Sequence, residues 1–167
     1  MPSLAADAST RRKIKPLTVL ARLLRRAQAA RQRVVFTNGC FDLLHAGHIQ
    51  LLERAKVAGD ILVVAINSDR SVRALKGRHR PLVSQADRAR LLAALACVDY
   101  VTVFNELTPL RAIERLRPDV LIKGADWGAN RIIGRGIVER HGGTVLRLPL
   151  RRGYSTSALI ERIRTRA

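Results

Sequence analysis

Two short β-branched runs with a helical segment between them constrain the fold of this chain more than any other feature. The runs are RVVFTNG at 33–39 and ILVVAIN at 61–67, and the intervening GHIQLLERAKVAG has helical periodicity closed by Gly59. Strand, helix and strand in this order form a βαβ unit, whose two strands run parallel. The sequence therefore predicts an α/β fold.

The same alternation continues to the end of the chain. Helices are predicted over SQADRARLLAALAC, with a capping box at Ser84 and Asp87, and over TPLRAIERLRP, with a threonine cap. Two more helices are expected around 133–140 and 155–164, and further strands at DYVTVF, DVLIKG and TVLRLP. Together these elements predict a doubly wound, mostly parallel five-stranded sheet with helices on both faces, which is a Rossmann-like fold.

The chain divides into three predicted parts. Residues 1–15 are expected to be a flexible basic tail, 16–32 an amphipathic N-terminal helix, and 33–167 a single α/β domain. The longest apolar run, Leu91 to Val98, is far shorter than the roughly 20 residues of a membrane span. With no signal-peptide pattern and only two cysteines, a cytoplasmic location is expected.

The formal net charge of +18 is compatible with nucleic acid, an anionic surface or small phosphorylated ligands as partners. The arginines are spread along the whole chain, and aromatic residues make up only 4% of it, which supplies few platforms for stacking bases. We therefore expect small phosphorylated ligands, no specific nucleic acid and no membrane. The oligomeric state stays open, a homo-oligomer included.

Ligands of doubly wound sheets bind beyond the carboxyl ends of the strands. Polar clusters follow predicted strands at 37–48, 67–73, 123–126 and 151–157, and we expect all four on one rim of the sheet.

Two histidines, His45 and His48, lie in the first of these clusters, at the expected start of a helix. A helix N-terminus with a close-approach glycine attracts anions, and imidazoles there can donate to phosphate oxygens. Three alternatives remain open: the histidines cap or pack, they hold a metal with Cys40 and Asp42, or Cys40 is a nucleophile.

The stretch FTNGCFDLLHAGHIQLLERAK resembles the signature of the nucleotidyltransferase superfamily with a His-x-Gly-His motif, in its cytidylyltransferase-like branch. LKGRHRPLVSQADRARLLAAL, LIKGADW and GYSTSALIERI agree in order, so that the resemblance covers about residues 33 to 164. Within the branch the combination is most similar to the adenylyltransferases of ADP-heptose synthesis, without the sugar-kinase domain that some relatives carry in front. This implies transfer of AMP from ATP to D-glycero-β-D-manno-heptose 1-phosphate, with Mg²⁺, for lipopolysaccharide core synthesis.

The resemblance also implies roles for individual residues. His45, His48 and Lys123 would be catalytic, and Asp126 would also help to hold Mg²⁺. Phosphate of the second substrate would be bound by Arg80, Arg88 and Lys76. The ATP site would comprise Thr37, Asn38, Gly39, Cys40, Phe41, Asp42, Gly47, Gly124, Asp126, Tyr154, Ser155, Thr156 and Ser157.

Some of these assignments have simpler competitors. Residues 155–157 could form a plain N-cap, and Lys123 with Asp126 a turn with a surface ion pair. Two departures from the family pattern also stand out: Lys-Gly-Ala-Asp replaces the common Lys-Gly-Gly-Asp, and Tyr154 replaces a smaller residue. Two other functions compete, namely a cytidylyltransferase acting on glycerol 3-phosphate or a similar ester, and a nucleic-acid-binding protein.

Overall fold

The computed structural model describes residues 5–125, 128, 132–149 and 155–165, and their side chains from residue 9 onward. No helix within these ranges is long and apolar enough to cross a membrane. The strands are β1 (Val34–Gly39), β2 (Ile61–Asn67), β3 (Tyr100–Phe104), β4 (Val120–Gly124) and β5 (Thr144–Leu148). The helices are α1 (Ala5–Lys13), α2 (Leu17–Ala29), α3 (Ala46–Lys56), α4 (Asp69–Lys76), α5 (Gln85–Ala93), α6 (Leu110–Leu116), α7 (Arg135–Arg140) and α8 (Thr156–Arg164).

The five strands form one sheet in the order β3-β2-β1-β4-β5. β1 lies at the centre and pairs in parallel with β2 on one side and with β4 on the other. The two outer pairings, β2 with β3 and β4 with β5, are parallel as well. The predicted doubly wound, five-stranded sheet is therefore confirmed, and the direction of winding reverses at β1. In such a sheet the crevice beside the reversal point is the usual ligand site.

Helices cover both faces of the sheet because successive strand residues point to opposite sides. Val34 of β1 belongs to one core, together with Leu24 of α2 and residues of α6 and α7. Val35 belongs to the other, together with Leu52 of α3 and Leu92 of α5. Burial on both sides explains why β1 and β2 are almost continuous apolar runs in the sequence.

The N-terminal segment was expected to be a flexible tail over residues 1–15, but its described part is anchored to the domain. Its described part contains helix α1, and the Lys13 ammonium donates to the Val98 carbonyl at 2.8 Å, just beyond the end of α5. Ile14 then forms a parallel bridge with Val101 of β3. Composition alone did not reveal these anchors, because they depend on carbonyls far away in the sequence. The segment covers an edge strand that would otherwise expose unpaired backbone groups.

Helix α4 follows β2 directly and has no counterpart in the sequence analysis. Its eight residues include only three apolar side chains, and a segment this short falls below the length at which periodicity identifies a helix. Polar contacts fix its start instead: Ser68 Oγ accepts the Ser71 N–H at 3.3 Å, and Asn67 Nδ2 donates to Ser71 Oγ at 2.9 Å. These bonds direct the chain from the end of β2 along the rim of the sheet.

Candidate active site

A cleft of about 630 Å³ opens at the carboxyl ends of the strands. It is bounded by the ends of β1, β2 and β4, by the loop after β3, and by the first turns of α3 and α8. Asp126 and Tyr154 lie outside the described residues. Of the residues singled out from the sequence, those that line the cleft are Thr37, Asn38, Gly39, Cys40, Phe41, Asp42, His45, Gly47, His48, Lys76, Arg80, Lys123, Gly124, Ser155, Thr156 and Ser157.

The start of helix α3 is fixed by His45. This residue is the N-cap, with an extended backbone at φ −143° and ψ 166°, and its Nδ1 accepts the backbone N–H of His48 at 3.3 Å. An imidazole therefore takes the capping role that serine or aspartate usually has. The simple capping reading is correct for His45, which also lines the cleft.

The two imidazole rings stack on each other, with centroids 3.7 Å apart and planes inclined by 16°. Phe41 lies against the second ring, at 5.0 Å between centroids. Burial lowers the pKa of His45. Burial, and secondarily the charge of His45, lowers the pKa of His48 to about 4. Both rings are consequently neutral near pH 7.

A neutral imidazole carries a single N–H, so its hydrogen bonds decide which nitrogen can donate. Since Nδ1 of His45 accepts a backbone N–H, the proton of this ring belongs on Nε2. In His48, Nδ1 is buried and has no hydrogen-bond partner within the described part of the chain. Nε2 is thus the nitrogen that each ring can present to a ligand.

The turn between β1 and α3 depends on close packing around Phe41. Its backbone lies in the left-handed region, at φ 48°, which is uncommon for a bulky residue. A Cβ on Gly39 would lie 3.0 Å from Cε2 of the Phe41 ring. Glycine at this position therefore leaves room for the ring that packs against His48.

Lys123 places a cation between β1 and β4. It is the fourth residue of β4 and is only 7% exposed, and its Nζ donates to Asn38 Oδ1 at 2.5 Å. Thr37, one residue earlier on β1, donates through Oγ1 to the Ile122 carbonyl at 3.2 Å. Lys123 is therefore a buried lysine held by an amide, a setting in which an incoming anion is favoured. The alternative of an ion pair with Asp126 falls partly outside the described residues.

The first turn of α8 brings three hydroxyl residues to the cleft. Ser155 is the N-cap, and its Oγ accepts the Ala158 N–H at 3.0 Å. Thr156 and Ser157 follow it and also line the cleft. Ser155 thus has the capping role that the sequence allowed for, and the N-terminus of the helix faces the same space as the histidines.

Asp42 has a structural role that the sequence analysis did not predict. Its side chain is buried, and both carboxylate oxygens are engaged. Oδ2 accepts Nε of Arg80 at 2.5 Å, and Oδ1 accepts the backbone N–H groups of Leu82 and Val83 at 2.8 and 2.9 Å. The carboxylate therefore holds the loop that carries Arg80. Asp42 also lines the cleft, and its assignment to the ATP site stays a prediction.

Arg88 also differs from its predicted role. Its side chain is 0% exposed and does not line the cleft. The guanidinium donates to the Val83, Cys40 and Asn67 carbonyls, and it pairs with Asp69 at 2.7 Å. These bonds join the ends of β1 and β2 to helices α4 and α5. Arg88 is therefore an internal clamp, and its burial does not support the predicted role of binding substrate phosphate.

Several cleft residues were missed from the sequence. Asn67 ends β2, and its position after a strand was the only available signal. Thr108 was expected to cap α6, but that helix begins after Pro109 without a side-chain cap, and Thr108 lines the cleft instead. The remaining apolar lining has no distinctive sequence pattern; it comprises Leu51, Leu75, Leu107 and Ile133.

The described residues do not form a protein-built metal site. Within the described ranges, no three His, Cys, Asp or Glu side chains are grouped so that they could hold a metal ion. Asp42 is already engaged by an arginine and two amides. The donor set therefore does not fit a Mg²⁺ ion held by these side chains, and no catalytic step is assigned to one.

Neutral donors and buried or half-buried cations around one cleft suit reactions in which phosphates are aligned and neutralised. Together with the doubly wound sheet, this chemistry is that of a nucleotidyltransferase. The chain belongs to the cytidylyltransferase-like family, whose model matches residues 36–162.

Curated relatives agree with this assignment. The bifunctional protein HldE of Geotalea uraniireducens is 52% identical over 153 residues, which are 92% of this chain and 31% of that protein. The bifunctional protein HldE of Helicobacter pylori is also 52% identical, over 93% of this chain and 32% of its own length. The chain thus spans about a third of the length of these relatives.

Solved structures share the fold. The lipopolysaccharide core biosynthesis protein of Thermoplasma volcanium is 27% identical with a TM-score of 0.60, covering 74% of this chain and 99% of that one. Pantoate-beta-alanine ligase of Francisella tularensis has the same TM-score of 0.60 at 16% identity, over 83% of this chain and 67% of that one. The second similarity concerns the fold alone.

Proposed function

We propose that this protein transfers AMP from ATP to D-glycero-β-D-manno-heptose 1-phosphate, giving ADP-heptose and pyrophosphate for the lipopolysaccharide core. The observation that carries the proposal is the pair of stacked, neutral histidines at the N-terminus of α3, with phosphate-binding groups on either side. The name of the Thermoplasma volcanium protein, a lipopolysaccharide core biosynthesis protein, supports the same pathway.

The reaction needs no covalent enzyme intermediate. An anionic oxygen of the acceptor's phosphate attacks the α-phosphorus of ATP, and a new P–O bond forms. The bond from the α-phosphorus to the oxygen that bridges to the β-phosphate breaks, and pyrophosphate leaves with that electron pair. The attacking oxygen carries no proton, so no general base is required. The protein then contributes alignment and charge stabilisation, which are the main terms in phosphoryl transfer.

The sheet order suggests where each substrate lies. β4 and the start of α8 lie on one side of the histidines, and they bring Lys123 and residues 155–157 to the cleft. Helix α4, which follows β2, and the loop after it lie on the other side and bring Lys76 and Arg80. We assign the β- and γ-phosphates of ATP to the first side and the acceptor phosphate to the second. The α-phosphate then lies between them, at the histidines.

Neutral imidazoles suit this central position. Negative charge on the equatorial oxygens of the α-phosphate is redistributed in the transition state, and hydrogen bonds from pre-organised N–H groups strengthen with it. The His45 ring is already oriented by its bond to the backbone of His48. Little reorganisation is therefore needed when the reaction proceeds.

Pyrophosphate release, measured with Mg²⁺ over a panel of nucleoside triphosphates crossed with phosphate acceptors, tests the proposal. The triphosphate is expected to bring the metal with it, so excess chelator should abolish turnover. We expect ATP to be preferred over CTP, and heptose 1-phosphate to have a much higher kcat/KM than glycerol 3-phosphate. A site built to bind sugar hydroxyls discriminates strongly against a ligand that lacks them. Rates with CTP and glycerol 3-phosphate comparable to those with ATP and heptose 1-phosphate would contradict the proposal and favour a cytidylyltransferase.

A further inference from the structure

Arg80 is a cleft cation whose position depends on one buried carboxylate. Its side chain is 19% exposed, and its Nε donates to Asp42 Oδ2 at 2.5 Å. Within the described ranges, its two Nη groups donate to no other residue. A guanidinium has five N–H donors, so one anchors the side chain and four remain for a ligand in the cleft.

Asp42 divides its two oxygens between the loop and the arginine. Oδ1 accepts the N–H groups of Leu82 and Val83, which fixes the backbone just after Arg80. Among the described residues, Oδ2 accepts a hydrogen bond only from the guanidinium. With 1% of its side chain exposed, Asp42 is protected from water, so the ion pair is short and poorly screened. The arginine is consequently oriented before any ligand arrives.

The nearby Lys76 provides a contrast. It also lines the cleft, but it is exposed and lies at the end of helix α4, next to Gly77, at which φ is +94°. A flexible ammonium attracts an anion but does not fix its orientation, whereas a fixed guanidinium can bind two phosphate oxygens side by side. Arg80 is therefore better suited than Lys76 to orient an acceptor for in-line attack.

We propose that Asp42 is a positioning residue that holds Arg80 in place to bind the acceptor's phosphate. The inference rests on the proposed function for the identity of the acceptor, and it adds which residue binds the phosphate and what orients that residue. It assigns Asp42 no contact with ATP. Its loss should therefore weaken binding of the acceptor and leave binding of ATP unchanged.

Asp42→Asn tests this role with little disturbance of the loop. The asparagine oxygen can still accept the N–H groups of Leu82 and Val83, while its NH₂ group replaces the oxygen that faces the guanidinium. We expect the KM for the acceptor to rise roughly 10-fold or more, as for the loss of a charge-assisted hydrogen bond. The KM for ATP and the kcat should change less than about twofold on the same reasoning. A rise in the KM for ATP instead would overturn the inference.

A double-mutant cycle tells positioning from general loosening. Arg80→Ala should raise the KM for the acceptor at least as much as Asp42→Asn, and the two changes together should be no worse than Arg80→Ala alone. Additive effects would show that Asp42 does not act through Arg80. Arg78→Ala is the matched control, because it removes an exposed cation from the same loop that does not line the cleft. If Asp42→Asn does not fold, Arg80→Ala should still have a higher KM for the acceptor than Arg78→Ala. Equal KM values for these two variants would overturn the inference.

The test also tells the two proposals apart. If the wild-type protein releases no pyrophosphate from ATP and heptose 1-phosphate, the proposed function is contradicted. Calorimetric titration with heptose 1-phosphate and with glycerol 3-phosphate would then still test the arginine. We expect Arg80→Ala to weaken binding of whichever phosphate ester the wild-type protein binds. Equal dissociation constants for the wild-type protein and Arg80→Ala, or binding of neither ester by the wild-type protein, would overturn the inference.

Discussion

His45 both caps helix α3 and presents an N–H to the cleft, so substitutions at this position can separate folding from catalysis. The capping bond runs from the backbone N–H of His48 to Nδ1 of His45. His45→Ala removes the cap and the donor together. His45→Asn keeps a cap, because asparagine is among the best N-cap residues, but its short side chain lacks the far edge of the imidazole.

The two roles differ in their expected magnitude. Loss of one donor to the transition state typically lowers kcat by about 10²- to 10³-fold. Loss of an N-cap costs about 1 kcal/mol, which lowers the melting temperature of a domain of this size by about 2–4 °C. His45→Ala should show both effects. His45→Asn should show the fall in kcat with a melting temperature close to that of the wild-type protein.

Pyrophosphate release at saturating substrates gives kcat, and thermal unfolding followed by circular dichroism gives the melting temperature. His141→Asn is a matched control, since His141 is exposed and does not line the cleft. It should leave both quantities near their wild-type values. A wild-type kcat for His45→Asn would refute the catalytic role and leave His45 as a cap only.

Three further predictions follow from the burial and contacts of single side chains. The pKa of His48 falls from 6.5 to about 4 on folding, so the unfolded state binds more protons between these values. The free energy of unfolding should therefore rise from pH 4 to 6.5. Urea melts at pH 4.5 and 7 should show a smaller rise for His48→Asn than for the wild-type protein, and an equal rise would contradict the buried, neutral ring. Thr156→Val should raise the KM for ATP roughly 10-fold with a smaller effect on kcat, since one hydrogen bond to a charged phosphate is lost in ground and transition states alike. A change confined to the KM for the acceptor would mean that ATP and the acceptor bind on the opposite sides from those assigned above. Arg88→Met should lower the free energy of unfolding by about 3 kcal/mol or more, because Asp69 loses its buried partner. An unchanged urea midpoint with a raised acceptor KM would restore Arg88 as a phosphate ligand.

Hydrophobic periodicity was enough to predict the fold. The strands begin and end within about one residue of their predicted limits, because apolar runs buried on both faces leave few alternatives. α1 and α4 were not predicted, since both are short and rich in charged residues. Lys13 at the carbonyl of Val98 and Ser68 at the N–H of Ser71 hold them in place. Such single polar contacts have no periodic signal in the sequence.

The location of the site was predicted more fully than the roles of its individual residues. Ends of parallel strands meet on one rim, so the polar clusters that follow them were expected together, and the cleft contains most of them. Whether an arginine faces the cleft or the interior depends on which carbonyls lie within its reach. Arg88 contacts the Cys40 carbonyl, 48 residues away along the chain. No local pattern distinguishes it from Arg80, which does line the cleft.

The segment from Asn38 to His45 acts mainly by holding groups that come from elsewhere in the fold. The Asn38 side chain accepts a hydrogen bond from the ammonium of Lys123 on β4. The Asp42 carboxylate accepts one from the guanidinium of Arg80 in the loop before α5. His45 fixes the start of α3. In a chain of net charge +18, cations are abundant everywhere, so charge alone cannot define a phosphate site. Lys123 and Arg80 differ from the scattered surface arginines because a polar partner on or just after β1 fixes their geometry, and this fixed geometry is what alignment of two anions requires.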